Sequence, residues 1–321
     1  MSDNLTTTTQ VDPAISTFYD RLLLKRAQPK LIHTLFADRK NLPSKSGNTV
    51  KFRRYSALTT ATTKLNEGVT PPGQRLAKTD LTCTVSQYGD FVHLTDVVNL
   101  TVQDPVLAVA VEELGIQMGK TIDEIVRDTL AACASSTNCT GGSNGETPTE
   151  LHATGIKAVL KTMYNNDADM ITPLIKASTG VGTAPTRPAY MVLAHSYLMN
   201  DLENVTGFQP TSQYPAQLGV YDAEWGSVLN SRWLLSSVGH RNTTASPDQF
   251  YCMFIGKHAY GIVDLTEGNV KSIVKAYGSA GTADPIDQRA TAGWKAMFVT
   301  RILNDNFMHI LKVTGSDSVD S

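Results

Sequence analysis

Cysteine is scarce: Cys83, Cys133, Cys139 and Cys252 are the only four, and no two share a CxxC spacing. That excludes a disulfide framework and the usual zinc-ribbon patterns, and free buried thiols in a reducing compartment are expected. Charge is sparse too. Charged residues make up 18% of the chain, below the roughly 25% of an ordinary soluble domain, which suits a protein that covers part of its exterior with copies of itself. A net charge of −2 excludes a polybasic nucleic-acid binder. No apolar run reaches the ~18 residues of a membrane span; the closest, around Val106–Val111, meets Glu112 and Glu113 at once. The start Met1-Ser2-Asp3-Asn4 has no basic residue and no apolar stretch after it, so no signal peptide is expected and the protein reads as soluble. His33, His93, His152, His195, His240, His258 and His309 are scattered, with no HExxH. No metal, no cofactor and no enzymatic activity are expected.

The charge that is present is unevenly placed. Residues 1–103 hold 13 Lys and Arg against 8 Asp and Glu, and residues 104–321 hold 15 against 22. Opposite signs in the two parts can complement each other between subunits or simply mark two solvated faces.

After a polar, Thr-rich start, Ile15, Phe18, Tyr19, Leu22, Leu23, Leu31, Ile32, Leu35 and Phe36 recur at helical spacing, interrupted at Pro29. This reads as one or two short amphipathic helices on an arm. Asn48–Leu58 and Leu81–Thr95 read as two strands, joined by a polar connection containing Gly68, Pro71, Pro72 and Gly73. That connection is too long for a tight turn and too hydrophilic for a core. The economical picture is a long two-stranded ribbon. Such a ribbon is marginal alone, so it needs a surface to lie on.

Asp104-Pro105 opens the strongest helix, running to about Ala134. Leu107, Val111, Leu114, Met118, Ile122 and Ile125 form its apolar stripe, and Glu113, Gln117, Lys120, Asp123, Glu124 and Arg127 its polar side. A mixed α/β stretch follows. Leu151–Asn165 reads as a helix, Ala189–Leu193 as a strand leading into a short helix through Leu202. Trp233–Val238, Phe250–Ile255 and Val270–Tyr277 read as strands. Trp294–Leu303 and Phe307–Val313, joined by Asn304-Asp305-Asn306, read as a hairpin.

Two motifs match catalytic patterns in letters only. Gly141-Gly142-Ser143-Asn144-Gly145 spells the nucleophile elbow of a hydrolase, yet it follows a helix end and precedes Pro148. The elbow needs a buried strand before its serine. Gly115-Ile116-Gln117-Met118-Gly119-Lys120-Thr121 resembles a phosphate loop one residue short, and it falls inside the long helix, where the backbone N–H groups are already committed.

The order of arm, long ribbon, long helix, α/β domain and returning strands resembles the Hong Kong 97-type phage capsid fold, over nearly the whole chain. In detail it is most similar to the coat proteins of the N-four-type phage family. The residues that carry this are Gly47-Asn48-Thr49-Val50-Lys51-Phe52, Tyr88-Gly89-Asp90-Phe91-Val92, Asp104-Pro105, and Asp284-Pro285-Ile286-Asp287-Gln288 leading to Gly293-Trp294-Lys295-Ala296. The resemblance implies an α+β subunit with an N-terminal arm (1–47), an extended loop (48–96), a peripheral domain with its spine helix (97–150), an axial domain (151–280) and return strands with a tail (281–321). It implies a major capsid protein of a tailed phage, located in the virion capsid and assembled in the host cytoplasm. Its partners would be itself, in pentamers and hexamers of an icosahedral shell, with portal and scaffolding proteins and possibly a cement protein. The shell would enclose double-stranded DNA without reading its sequence, and no membrane is involved. An encapsulin-like compartment, which shares the fold but encloses enzymes, is the alternative.

The expected inter-subunit contacts are Leu31, Leu35 and Phe36 on the arm, with residues 1–37 lying outside the subunit's own core. On the loop they are Arg53, Arg54, Lys64, Arg75 and Lys78, with Glu67 as the single acid of residues 51–78. The same basic side chains could instead face the genome.

Overall fold

The computed structural model describes residues 32–43, 45, 47–65, 67–70, 73–97, 106–140, 147–176, 186–215, 220–245, 247–265, 270–279 and 285–316. In chain order these form strands β1 (Asp38–Leu42), β2 (Thr49–Tyr55), β3 (Lys78–Thr84) and β4 (Ser86–Thr95), then helix α1 (Val106–Ala131), β5 (Ser136–Asn138) and α2 (Ala153–Asn165). β6 (Tyr190–His195), α3 (Met199–Asn204), β7 (Phe208–Pro210), β8 (Glu224–Val228), β9 (Ser231–Ser236) and β10 (Arg241–Asn242) follow. The chain closes with β11 (Gln249–Ile255), β12 (Tyr260–Leu265), β13 (Lys271–Lys275), β14 (Arg289–Ile302) and β15 (Met308–Thr314).

The strands fall into an eight-stranded sheet, a five-stranded sheet and a two-stranded ribbon. The eight-stranded sheet runs β5-β15-β11-β6-β9-β8-β7, with β10 paired to β11. Its central strands are buried on both faces, which is why β6 reads Tyr-Met-Val-Leu-Ala-His with no polar alternation. Met191, Leu193, Met253 and Ile255 face α1, while Tyr190, Val192, Phe254 and Val313 face Ile156, Val159 and Met163 of α2. The result is an α/β/α sandwich.

The five-stranded sheet runs β1-β12-β14-β13, with β4 on the other side of β14. Ala292, Trp294, Ala296 and Phe298 of β14 pack on the same helix α1, which therefore serves both sheets. At 26 residues, α1 is about 39 Å long. Val111, Leu114, Met118, Ile122, Val126 and Leu130 are its buried stripe.

Most elements stand where the sequence places them, and four do not. The long strand Leu81–Thr95 is two strands broken at Val85: β3 pairs with β2, while β4 turns away to pair with β14 along ten residues. The hairpin at Asn304-Asp305-Asn306 does not exist. A 3₁₀ turn capped by Asn304 carries the chain out of β14 in one sheet and into β15 in the other. Sheet membership accordingly departs from a division near residue 280, since β12 and β13 belong with β14 and β15 belongs with β11. Finally, Asp123 is not on a solvated side of α1, whereas Gln117 is exposed there as expected. Asp123 is fully buried, and Gln117 donates to Asp90 at 2.6 Å and accepts from Trp294 Nε1 at 3.2 Å.

Residues 32–37 also differ from expectation. They make a turn that enters β1, which pairs in parallel with β12 some 220 residues later. The His33 N–H donates to Asp123 Oδ1 at 2.8 Å, its ring Nδ1 lies 2.6 Å from Asp123 Oδ2, and Tyr260 donates to the His33 carbonyl at 2.5 Å. Phe36 packs edge-on against Tyr221. This segment belongs to the subunit's own core, so any arm outside it ends before Ile32.

Candidate assembly surface

Among the described strands, β2 and β3 pair with each other and join neither of the two larger sheets. Their register sets Phe52 opposite Leu81 and Val50 opposite Cys83. Alternation turns Phe52 and Cys83 to the same side, where they are buried against Leu42 and Val263 of the five-stranded sheet. The Lys40 ammonium sits 4.7 Å from the Phe52 ring centre, a cation–π contact that closes this base. Beside it a cavity of about 290 Å³ is lined by Asp38, Phe52, Arg54, His258, Leu303 and Asn304.

Beyond the base no described residue covers the ribbon. Tyr55, Leu58, Leu65, Val69 and Leu76 are exposed, Leu65 by 74% and Val69 by 63%. Gln74 donates to the Thr59 carbonyl at 2.7 Å and Ser56 N–H to the Ala77 carbonyl at 2.9 Å, which holds the two limbs together. A cluster of apolar side chains projected on a two-stranded limb is unstable in water without a partner surface.

The structure sorts the expected contact residues into two groups. Arg53 faces Asp80 across the ribbon at 2.9 Å, and Arg54 donates to Asn304 Oδ1 of its own subunit at 2.6 Å. Both therefore work within the subunit. The Arg53 hydrogen bond also holds the Asp80 carboxyl below its ordinary value. Lys64, Arg75, Lys78 and Glu67 are exposed and form no ion pair with a described residue. On the arm, Leu35 is exposed and Phe36 is packed inside its own subunit, while Leu31 lies outside the described residues.

The strongest polar site was not visible as a motif. Arg232 of β9 and Glu224 of β8 are both buried and paired through two bonds of 2.5 and 2.6 Å. Tyr214 donates to Glu224 Oε1 at 2.8 Å, and the Arg232 guanidinium lies over the Tyr214 and Tyr221 rings at 5.7 and 5.5 Å. No buried side-chain nitrogen or oxygen of this cluster lacks a partner among the described residues. A charge of each sign inside apolar strand sequence is the signal that could have revealed it.

Ser143 and its flanking glycines lie outside the described residues. Gly115 and Gly119 are inside α1. All four cysteines are free and buried, with Cys133 raised to about 11 by burial. Among the described residues no three His, Cys, Asp or Glu side chains converge on a metal position, and no helix is long and apolar enough to cross a membrane.

Two sheets share one helix, and no described residue covers the apolar tip of the ribbon. The profile of the phage capsid protein family matches residues 78–313, and the chain belongs to that family. It is a major capsid protein, forming the shell of a phage. Comparison with curated proteins finds no match. Among solved structures, the chain resembles the capsid of Ralstonia phage GP4 at 12% identity and TM-score 0.65, covering 88% of each chain. It resembles the capsid asymmetric unit of cyanophage Pam1 at 12% identity and TM-score 0.60, covering 91% of this chain and 92% of that one. The capsid of cyanophage P-SCSP1u is similar at 14% identity and TM-score 0.57, with 88% and 87% covered. At these identities the likeness speaks for the fold.

Proposed function

We propose that the chain is a Hong Kong 97-type subunit of the N-four-type group. It would build pentamers and hexamers of an icosahedral shell around the double-stranded DNA of a tailed phage. In this reading β2, β3 and their tip are the extended loop, and β4, β12, β13 and β14 with the spine helix α1 are the peripheral domain. The eight-stranded sheet with α2 and α3 forms the axial domain. The loop tip lies across a neighbouring subunit, and residues before Ile32 form the arm. Portal, scaffolding and cement proteins are further expected partners, and assembly takes place in the host cytoplasm.

One observation carries the reading. The ribbon is docked at its base by Phe52 and Cys83, yet carries Leu58, Leu65, Val69 and Leu76 uncovered at its tip. A chain that invests in anchoring an apolar limb and leaves the limb bare is built to meet another copy. Negative-stain electron microscopy of the full chain, expressed alone and with its co-expressed phage proteins, tests this. Closed shells or capsomer rings are the expected result. A strictly monomeric protein across salt and concentration would refute it.

A further inference from the structure

The cavity beside the ribbon base is walled by parts of the chain far apart in sequence. Phe52 and Leu81, opposite each other on β2 and β3, supply the ribbon's share. Leu303 and Phe307, on the crossover from β14 to β15, supply the body's. Asp38 of β1 and His258, from the turn between β11 and β12, line it as well. Most of its charges are met nearby. His258 Nδ1 lies 2.7 Å from Asp38 Oδ2, and Arg53 is paired with Asp80. Arg54 differs. It donates through Nη1 to Asn304 Oδ1, the oxygen of a neutral amide, and forms no ion pair with a described residue. With Leu81 and Leu303 it also lines a second cavity of about 350 Å³, on the side of Thr129 and Arg301. A guanidinium carries several N–H donors, so Arg54 holds donors in reserve beside an apolar wall.

We propose that the cavity at the ribbon base is a binding site for a small aromatic carboxylate. Its rings would lie against Phe52, Leu81, Leu303 and Phe307, and its carboxylate on Arg54. Small-ligand sites are mostly apolar with a few placed polar groups and run from about 300 Å³ upward. At about 290 Å³ the cavity stands at the small end and takes a molecule of one or two rings. A guanidinium beside such a wall selects a planar anion, which it can bind through two parallel hydrogen bonds. Inorganic phosphate would leave the four apolar side chains unused. A neutral hydrocarbon would cover the guanidinium without meeting its charge. A metal cation meets Arg53 and Arg54 and is excluded. A ligand in this place touches the ribbon and the two-sheet body at once, so its binding holds one against the other. The inference concerns the single subunit and does not rest on the shell.

The test uses the full chain, unassembled, with para-benzoylbenzoate as a photoreactive aromatic carboxylate. Labelling should saturate and fall on peptides containing Leu81 or Leu303. Naphthoate should displace it, and the neutral naphthamide should compete about tenfold less well or worse. Bound naphthoate should also slow protease cutting within residues 53–80. Arg54→Gln should weaken naphthoate about tenfold or more and leave naphthamide unchanged. Because that variant also loses the tie to Asn304, Asn304→Ala is its control: the tie goes, the charge stays, and naphthoate should still bind. Labelling that does not saturate, or that falls on other peptides, overturns the proposal. So does equal competition by naphthamide, or a loss in Asn304→Ala as large as in Arg54→Gln. Whether particles form is read separately, so failure here leaves the capsid reading standing.

Discussion

The eight-stranded sheet and the ribbon solve the same burial problem in opposite ways. At the sheet's centre β6, β9 and β11 are covered on both faces, and even a charged pair, Arg232 with Glu224, is enclosed and fully bonded. In the ribbon, burial stops at Phe52 and Cys83, and the side chains beyond them are left to solvent. The sheet is complete in one subunit; the tip of the ribbon is left uncovered by the described residues. Stability and assembly are therefore separable by mutation, and each variant below tests on which side of that line a residue falls.

The largest effect is expected at the enclosed pair. Glu224→Gln leaves the buried Arg232 guanidinium without its counter-charge, and breaking such a pair costs about 3–5 kcal/mol. Equilibrium denaturation of the unassembled subunit should show this loss. Pairing Glu224→Leu with Arg232→Met should restore a large part of it, because the replacement leaves no unpaired charge. A wild-type midpoint in Glu224→Gln would mean that water already reaches the pair.

Phe52→Ala comes next. Removing a buried Phe typically costs about 3–5 kcal/mol, and the low end applies in a small cluster that can collapse. The loss should be local. Protease cutting within residues 53–80 should accelerate while amide exchange in β6 and β11 stays unchanged. Equal acceleration in both regions would show that the ribbon base and the sheet melt together.

Asp123→Ala should cost less, about 1–3 kcal/mol, the penalty for leaving the His33 N–H buried without an acceptor. Its signature would be faster exchange of residues 33–36 with α1 still folded. This pair also shows where sequence reasoning ran out. The apolar stripe of α1, the apolar-rich strands β6 and β11, and the ribbon entry at Thr49 are local patterns, and they were legible. Asp123 was assigned to the polar side because helical spacing alone cannot say what packs there. His33 reaches it across 90 residues. The false hairpin at Asn304 has the same origin. Its turn residues and two apolar runs are correct, but which sheet each run joins is decided by β11 and β12, far away in sequence. The ribbon's first strand was likewise legible, whereas the departure of β4 to β14 and the intrasubunit partners of Arg53 and Arg54 were not, since Asn304 lies 250 residues from Arg54.

A pH effect of moderate size should follow from three histidines in and beside the eight-stranded sheet. Burial holds the His195, His240 and His309 imidazoles below the ordinary 6.5. Below that pH the unfolded chain binds protons that the folded one refuses, so stability falls as pH drops through about 6.5 toward the folded values. Denaturation midpoints should therefore be lower at pH 5.5 than at pH 7.5. Replacing His309 with Gln should flatten part of the slope, and an unchanged slope would assign it to other groups.

The smallest effect on the subunit, and the most informative about assembly, is expected from Lys64→Glu, Arg75→Glu and Lys78→Glu combined. The choice of residues follows from the two groups on the ribbon. Reversing Arg53 would set two carboxylates against each other across β2 and β3, and reversing Arg54 would remove the tie to Asn304. A failure to assemble in either case would say nothing about neighbours. Lys64, Arg75 and Lys78 have no ion pair to lose among the described residues, so the thermal midpoint of the isolated subunit should not move. Residues 104–321 of a neighbouring copy carry more acid than base. A basic tip lying across them gains at every equivalent contact of the shell, and the reversed tip loses at every one. Shell yield should fall in the triple variant, and high salt should lower wild-type yield in the same direction, because exposed charges are screened. Normal yields of empty shells together with poor DNA filling would instead turn these three side chains toward the genome. The apolar residues Leu58, Leu65 and Val69 would then remain as the ribbon's contact with its neighbour.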